Sequence, residues 1–542
     1  MKNKQLKSAE LVWGQGVSSY KNNQFVIWFC MATCLTMLVT PIFADDHLVK
    51  TRAITLPIET VHQNIKPSYN PSWPHKVTNH TTDDHLACDV VAPQSSGCDY
   101  VINVDTYDGT IKIKPGRTDP APGEMVCILP GSYSGAEIFD IHGTQQQPIT
   151  IRNCGGQAVI NTRFKIRKTT HIRLLGDGDV NTLYGIKTTG DLFPSAGSGM
   201  SIETLSRDIE IAFNDISAEY SRGALHFNTG NPEVDDNGDY IPRYDLVTGE
   251  PFVQTKSHIH HNIIHSSLEG EGLYLGVAGC GEAELDAGTA LEHTFVHDNI
   301  VVNNGADGIQ VGCSREDTLI YNNYIYNSGY NPFNNLGHTK AIQLGAGTSG
   351  LVFNNYIEKA ASSCIFLGGG PTSIENRDMA VSIHNNIMID CSEAVAVHSS
   401  VEDVVVSNQG LAVANNTIID MRISHFWLTH HFDDVVQIDV KNNLYVDDTV
   451  TVPHIFVNGE DDVGANFQEA GSLFLSSLSQ AQFVDAVNGD YNLNENSPAR
   501  DFGVNAVDLD VIYDINANTR DPIMDAGAAE FIVDDIFTHG FE

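Results

Sequence analysis

Ile320-Tyr321-Asn322-Asn323, Val352-Phe353-Asn354-Asn355 and Ile383-His384-Asn385-Asn386 repeat one pattern: an apolar residue, two variable positions, then asparagine. The same pattern ends at Asn214, Asn262 and Asn299 upstream, and at Asn416 and Asn443 downstream. Successive asparagines are 48, 37, 24, 32, 31, 30 and 27 residues apart. Intervals of that size correspond to one turn of a β-solenoid, with insertions in some turns. Asparagine suits such a place because it tolerates the left-handed backbone of a sharp corner. Its amide can also bond the next turn, so stacked asparagines predict a ladder. A second short strand follows each corner, as in Gly272-Leu273-Tyr274-Leu275-Gly276, Gly308-Ile309-Gln310-Val311-Gly312 and Ala341-Ile342-Gln343-Leu344-Gly345. Leucine and β-branched residues alternate inward there. His226, Tyr274, Gln310, Gln343, Phe366 and Ala396 then face out in one column. The fold class expected is all-β, a right-handed parallel β-helix with an asparagine ladder.

Around this core the chain divides into five parts. Residues 1–44 read as a signal peptide: Lys2, Lys4, Lys7 and Lys21 are basic, Phe25 to Val39 is apolar, and Ala44 offers a small residue at the cut. The apolar run is shorter than the ~20 residues of a spanning helix, and no membrane span is expected after cleavage. Residues 45–99 read as a linker or irregular wrap, 100–450 as the β-helix, 451–532 as its end segment and 533–542 as a short tail. Extracellular or cell-surface localisation follows from the signal.

With 30 basic and 68 acidic residues, the formal charge of −38 argues against nucleic acid as a partner. It also means that a polyanionic substrate needs a cation or a local basic groove. Eight cysteines follow the signal. An even count in an exported chain permits disulfides. Cys88 with Cys98 is the pair expected, and the others read as buried small residues. There is no CxxC pair and no His-Cys ligand spacing, so zinc is not expected.

Residues ~110–450, with their asparagine corners, resemble the right-handed parallel β-helix proteins of the pectate-lyase-like superfamily. That resemblance implies a polysaccharide as partner and a groove lined by the strand after each corner. The 490–531 segment is similar to the terminal segment of many secreted bacterial β-helix proteins. The tail from Ile536 resembles a short tail on exported proteins of some Gram-negative bacteria.

Several residues are candidates for chemistry. Glu271, Asp307 and Lys340 precede the groove strand in three consecutive turns, which are ~4.8 Å apart. For a lyase, Lys340 or His226 would be the base and Arg222 the charge stabiliser. Tyr274, Gln310, Gln343 and Phe366 would bind substrate. Glu269-Gly270-Glu271 resembles the Glu-x-Glu calcium pair of the chondroitinase-B and alginate-lyase group, which implies Ca²⁺ at Glu269 and Glu271. That group carries a Lys later on the strand, where this chain has Leu275, Gly276 and Val277. Asp235, Asn237 and Asp239 have the spacing that begins a calcium loop, although an acidic hairpin turn with Asn-Gly as the turn accounts for them more readily. A hydrolase would pair Glu271 with Asp307. Alternatively the solenoid is a binding surface without catalysis, with Tyr274, Phe366 and Trp427 stacking on sugars. His260, His297 and His384 share a column with Tyr321 and Phe353, which reads as ring stacking between turns. The leading reading is a secreted, monomeric polysaccharide lyase acting on a uronate-containing polymer.

The signal reading gives a direct test. N-terminal sequencing of the exported protein should begin at Asp45, whereas an intact Met1 form retained in the membrane would reject it.

Overall fold

The computed structural model describes residues 87–532, apart from isolated positions and the stretches 191–197, 219–222, 228–240, 246–248, 278–287, 332–336, 370–379, 400–410, 430–437 and 459–466. Among the described residues, three parallel sheets of 13, 12 and 12 strands run the length of the coil. Each turn contributes one strand to each sheet. The corner sheet carries the strands before the asparagines, such as Gln254–His260, Leu291–His297 and Thr318–Tyr321. The return sheet follows the corner, with Ile263–His265, Ile300–Asn304 and Tyr324–Ser328. The groove sheet contains Leu273–Gly276, Ile309–Gly312 and Ile342–Gly345. Parallel strands joined by crossovers coil right-handed, because twisted strands pack back onto the sheet only that way. The chain is a right-handed parallel β-helix.

Alternation builds the interior. Ile211, Ile259, Val296, Ile320, Val352, Ile383, Val413 and Val440 pair in register down the corner sheet and are all buried. Leu225, Leu273, Ile309, Ile342, Ile365 and Val395 do the same in the groove sheet. One apolar cluster therefore extends from Ile102 to Val452.

The asparagine ladder is continuous from Asn214 to Asn443. From Asn262 onward each Oδ1 accepts both the backbone N–H and the Nδ2 of the preceding ladder residue, as Asn386 does from Asn355 at 3.0 Å each. Each Nδ2 also donates to carbonyls, as Asn355 does to Ile320 and Phe353. Ser472 ends the ladder by accepting the Asn443 N–H. One detail differs from the expectation. The left-handed residue is not the ladder asparagine but the one before it: Phe213, His261, Asp298, Asn322, Asn354, Asn385, Asn415 and Asn442, with φ between 52° and 59°. Bending one residue early leaves the ladder side chain free to point into the coil. The Asn-Asn doublets are thereby explained, the first residue taking the bend and the second supplying the amide.

The cysteines pair across turns rather than within the short loop. Cys88 bonds Cys154, Cys98 bonds Cys127, and Cys364 bonds Cys391. The expected Cys88–Cys98 bridge is therefore corrected, although those sulfurs lie 4.0 Å apart. Stacking decides the partners: Val101 pairs with Cys127 and Ile128 with Asn153, so three turns bring four cysteines together. Cys313 is also disulfide-bonded. Of the cysteines read as buried small residues, Cys127, Cys154, Cys313, Cys364 and Cys391 are buried, but as half-cystines, and Cys280 lies outside the described residues.

Residues beyond the last turns fold back over the outside of the coil. Arg520 is buried, pairs with Glu530 at 2.8 Å and donates to Asn385 Oδ1 at 2.8 Å. Asn415 and Asn442 donate to the carbonyls of Asp525 and Val504. The doublets' first asparagines thus anchor this segment.

Asn355→Ala leaves buried donors and acceptors unpaired on both sides and should cost about 1–3 kcal/mol. Asn354→Gly should be nearly neutral, since glycine accepts the left-handed bend. Thermal unfolding of the two variants checks the division of labour; equal losses would contradict it.

Candidate active site in the groove sheet

The register places Glu271, Asp307 and Lys340 at equivalent positions, each two residues before the paired Leu273, Ile309 and Ile342. Backbone bonds lock the stack: Gly272 N–H donates to the Asp307 carbonyl, and Gly308 N–H to that of Lys340. Ser363 and Glu393 continue the same row, since Ala341 and Cys364 donate to their carbonyls. The Cys364–Cys391 disulfide staples these two turns directly beside that row.

Asp307 is the hub. Its side chain is fully buried, and Oδ1 accepts the Lys340 backbone N–H at 2.8 Å. Its Oδ2 lies 3.5 Å from His338 Nδ1, which also approaches Glu271 Oε1 at 3.1 Å and Gln310 Oε1 at 3.1 Å. The Lys340 side chain goes elsewhere. Nζ donates to the Gly337 carbonyl and to Gln343 Oε1, and lies 4.3 Å from the centre of the Phe366 ring. Simple neutralisation of Asp307 by the Lys340 ammonium, the plain alternative for this pair, is not the arrangement found.

Environment pushes these groups apart. Hydrogen bonds from Asp307 and Glu271 raise His338 to about 9, against its partial burial. Burial raises Asp307, outweighing His338 and Lys340. Burial acts upward on Glu271 too, but the His338 hydrogen bond and other favourable contacts leave it below the usual range. Burial lowers the Lys340 amine, with Asp307 and Glu393 opposing. Burial raises Glu393, whose Oε2 accepts from Ser363 at 2.8 Å. A cation, an ionised carboxylate and a weakened ammonium thus share one face.

Among the remaining candidates, Tyr274, Gln310, Gln343 and Phe366 form one column in register, with His226 above Tyr274. Tyr274, Phe366 and His226 are half-buried. Gln310 is wholly buried beneath His338, and its Nε2 finds no partner among the described residues. His226 meets Tyr274 edge-on at 5.7 Å, and burial keeps its imidazole below the ordinary value. Gly223 makes room for it: a Cβ there would stand 1.9 Å from His226 Nε2. Arg222, Asp235, Asn237 and Asp239 lie outside the described residues.

His338 and Glu393 went unnoticed in the sequence. His338 lies in the insertion between a return strand and a groove strand, two residues before Lys340. In an extended stretch that spacing puts both side chains on one face, which is the signal that identifies it.

Of the expected calcium ligands, Glu269 and Glu271 are described, whereas Asp235, Asn237 and Asp239 are not. Glu271 is engaged by a cationic imidazole, and Glu269 joins none of the groups of metal-ligating side chains found among the described residues.

No family model and no curated protein match this chain. Among solved structures it is similar to pectate lyase Pel9A, at 14% identity over 80% of this chain and 97% of that one, with a TM-score of 0.35. It is similar to an alginate lyase from Paenibacillus sp. str. FPU-7, at 13% identity over 70% and 96% of the two chains, with a TM-score of 0.31. The PL6 family alginate lyase AlyGC is 12% identical over 79% of this chain and 57% of that one, with a TM-score of 0.37. These likenesses are of fold alone.

His338 carries a pH signature. Its folded value is raised, so its contribution to stability is complete below the unfolded value near 6.5 and is lost as pH rises through about 9. His338→Gln should lower the stability at pH 6 by at most about 3 kcal/mol, read as a lower thermal midpoint. The difference from wild type should vanish above pH 9; a constant difference across that range would contradict the ion-pair geometry.

Proposed function

We propose that this is a secreted polysaccharide lyase acting on a uronate-containing polymer, with Lys340 as base and His338 as charge stabiliser. The observation that carries the reading is the juxtaposition of a desolvated amine and a cationic imidazole on the groove face. A neutral Lys340 Nζ would take the proton beside the uronate carboxyl group. The electron pair of that C–H bond becomes the new C=C bond. The glycosidic C–O bond breaks, and its electrons leave with the oxygen, which takes up a proton. His338 with Arg222 would offset the charge that builds on the carboxylate. Glu271 and Asp307 act through His338 and Lys340 as positioning residues. Tyr274, Gln343 and Phe366 would line the sugar subsites.

A local cation also answers the charge problem of the whole chain, whose formal net charge is −38. Export is supported by the disulfides, which persist in oxidising compartments. Among the described residues no helix is long and apolar enough to cross a membrane. The hydrolase alternative is weakened by Asp307, whose fully buried carboxylate holds the Lys340 amide and is closed to a glycosidic oxygen.

The decisive assay follows products from uronate-containing and sulfated polysaccharides. New absorbance near the ultraviolet edge supports elimination. Reducing ends without it would indicate a hydrolase, and binding without products a carbohydrate-binding solenoid. Lys340→Met and His338→Gln should each lower kcat/KM by about 10²-fold or more. In the wild type, kcat/KM should climb as pH rises through the lowered Lys340 value and fall above about 9 as His338 loses its proton. An alkaline limb unchanged in His338→Gln would assign that limb to another group.

A further inference from the structure

Away from the groove, the outer face of the corner sheet gathers imidazoles from consecutive turns. His258 and His260 are two apart on the strand Gln254–His260 and share its outer face. Glu210 pairs with His258 from the turn before, and His297 pairs with His260 from the turn after. His260 Nε2 lies 3.3 Å from Glu210 Oε1, and His258 Nε2 lies 2.6 Å from His297 Nε2. Glu210, His258 and His260 each offer one ligand atom, all within 4.8 Å of one another.

Ring stacking explains only part of this. The column His260, His297, Tyr321, Phe353 and His384 is stacked, with centroids 4.9, 4.6, 4.9 and 5.2 Å apart. His258 and Glu210 belong to a different column, yet their polar atoms are aimed at the first two rings. Hydrogen bonds behind those rings set their orientation. His297 Nδ1 faces Asp298 Oδ2 at 2.7 Å; with that carboxylate ionised the ring donates through Nδ1, and its Nε2 lone pair is directed at His258. His260 Nδ1 is held by His261 Nδ1 at 2.9 Å. The second oxygen of Glu210 is taken by Arg173 Nε at 3.1 Å, leaving Oε1 for His260. Outer partners of this kind orient metal-bound histidines.

We propose that Glu210, His258, His260 and His297 form a binding site for a first-row divalent transition metal of the zinc class. Imidazole donors with one carboxylate suit such an ion and not calcium, which takes oxygen ligands. Four donors at about 2.0–2.1 Å from zinc stand about 3.3 Å from each other in a tetrahedron. Glu210 Oε1 and His260 Nε2 already stand at that separation, His258 Nε2 and His297 Nε2 are closer still at 2.6 Å, and His258 is the donor common to the trio and to this pair. The site is independent of the groove, and its role is structural: it clamps three successive turns.

Titration of the chelator-treated, full-length protein with zinc chloride tests this by calorimetry, with calcium chloride in parallel. One zinc per chain should bind, and zinc should raise the thermal midpoint. His258→Ala should weaken this binding by about 100-fold or more and Glu210→Gln by about 10-fold or more. Both residues are half-buried on the outer face, and an unchanged metal-free midpoint in either variant shows that the fold is intact. Absence of stoichiometric zinc, zinc affinity unchanged in both variants, or calcium bound in place of zinc through the same residues would overturn the proposal.

Discussion

A primary amide buried in a protein interior must find partners for every donor and acceptor it carries, or the fold loses the energy of desolvating it. The ladder asparagines meet that demand through each other and through the backbone carbonyls beside them. From Asn262 onward each Oδ1 takes two donors from the turn before, and Asn262 Nδ2 donates to carbonyls of its own corner and of the preceding turn, as its successors to Asn416 do. A slip of one residue in any turn would orphan amides on both sides and turn the apolar row outward. The register of all three sheets is therefore tied to one line of side chains.

The chemistry proposed for the groove depends on that register. Glu271, Asp307 and Lys340 are far apart in sequence and meet because their turns are held in step. Asp307 links this stacking to the proposed site at close range. One oxygen holds the backbone of the next turn, and the other stands beside an imidazole from an insertion. Its burial makes the carboxylate expensive to ionise, while its neighbours make ionisation useful. The result is a pair of cationic groups, one raised and one lowered in proton affinity, on an otherwise strongly acidic protein.

What the sequence revealed follows from what repeats. Asn323, Asn355 and Asn386 announce the coil because identical corners need identical residues. The outward column of Tyr274, Gln310, Gln343 and Phe366 was readable from alternation alone. The disulfides were not, because Cys98 finds Cys127 through stacking and not through proximity along the chain. Gln310 reads as an exposed groove residue, yet the segment carrying His338 covers it. His338 itself sits in an insertion, where no periodicity guides the eye. The left-handed corner was assigned to the wrong asparagine of each doublet, because either residue type satisfies the backbone and only the direction of the amide separates them.

The ladder bonds join residues separated by as few as 24 and as many as 48 positions, with the same geometry at each step. A doubling of loop length costs only about 0.6 kcal/mol in closure entropy. Turn length is thus nearly free of thermodynamic consequence, provided the corner is kept. Such a coil behaves as a rack into which segments of different size can be spliced without disturbing their neighbours. Variation among descendants of this scaffold should then accumulate as insertions at the groove rim, where His338 now stands, while the corners stay fixed.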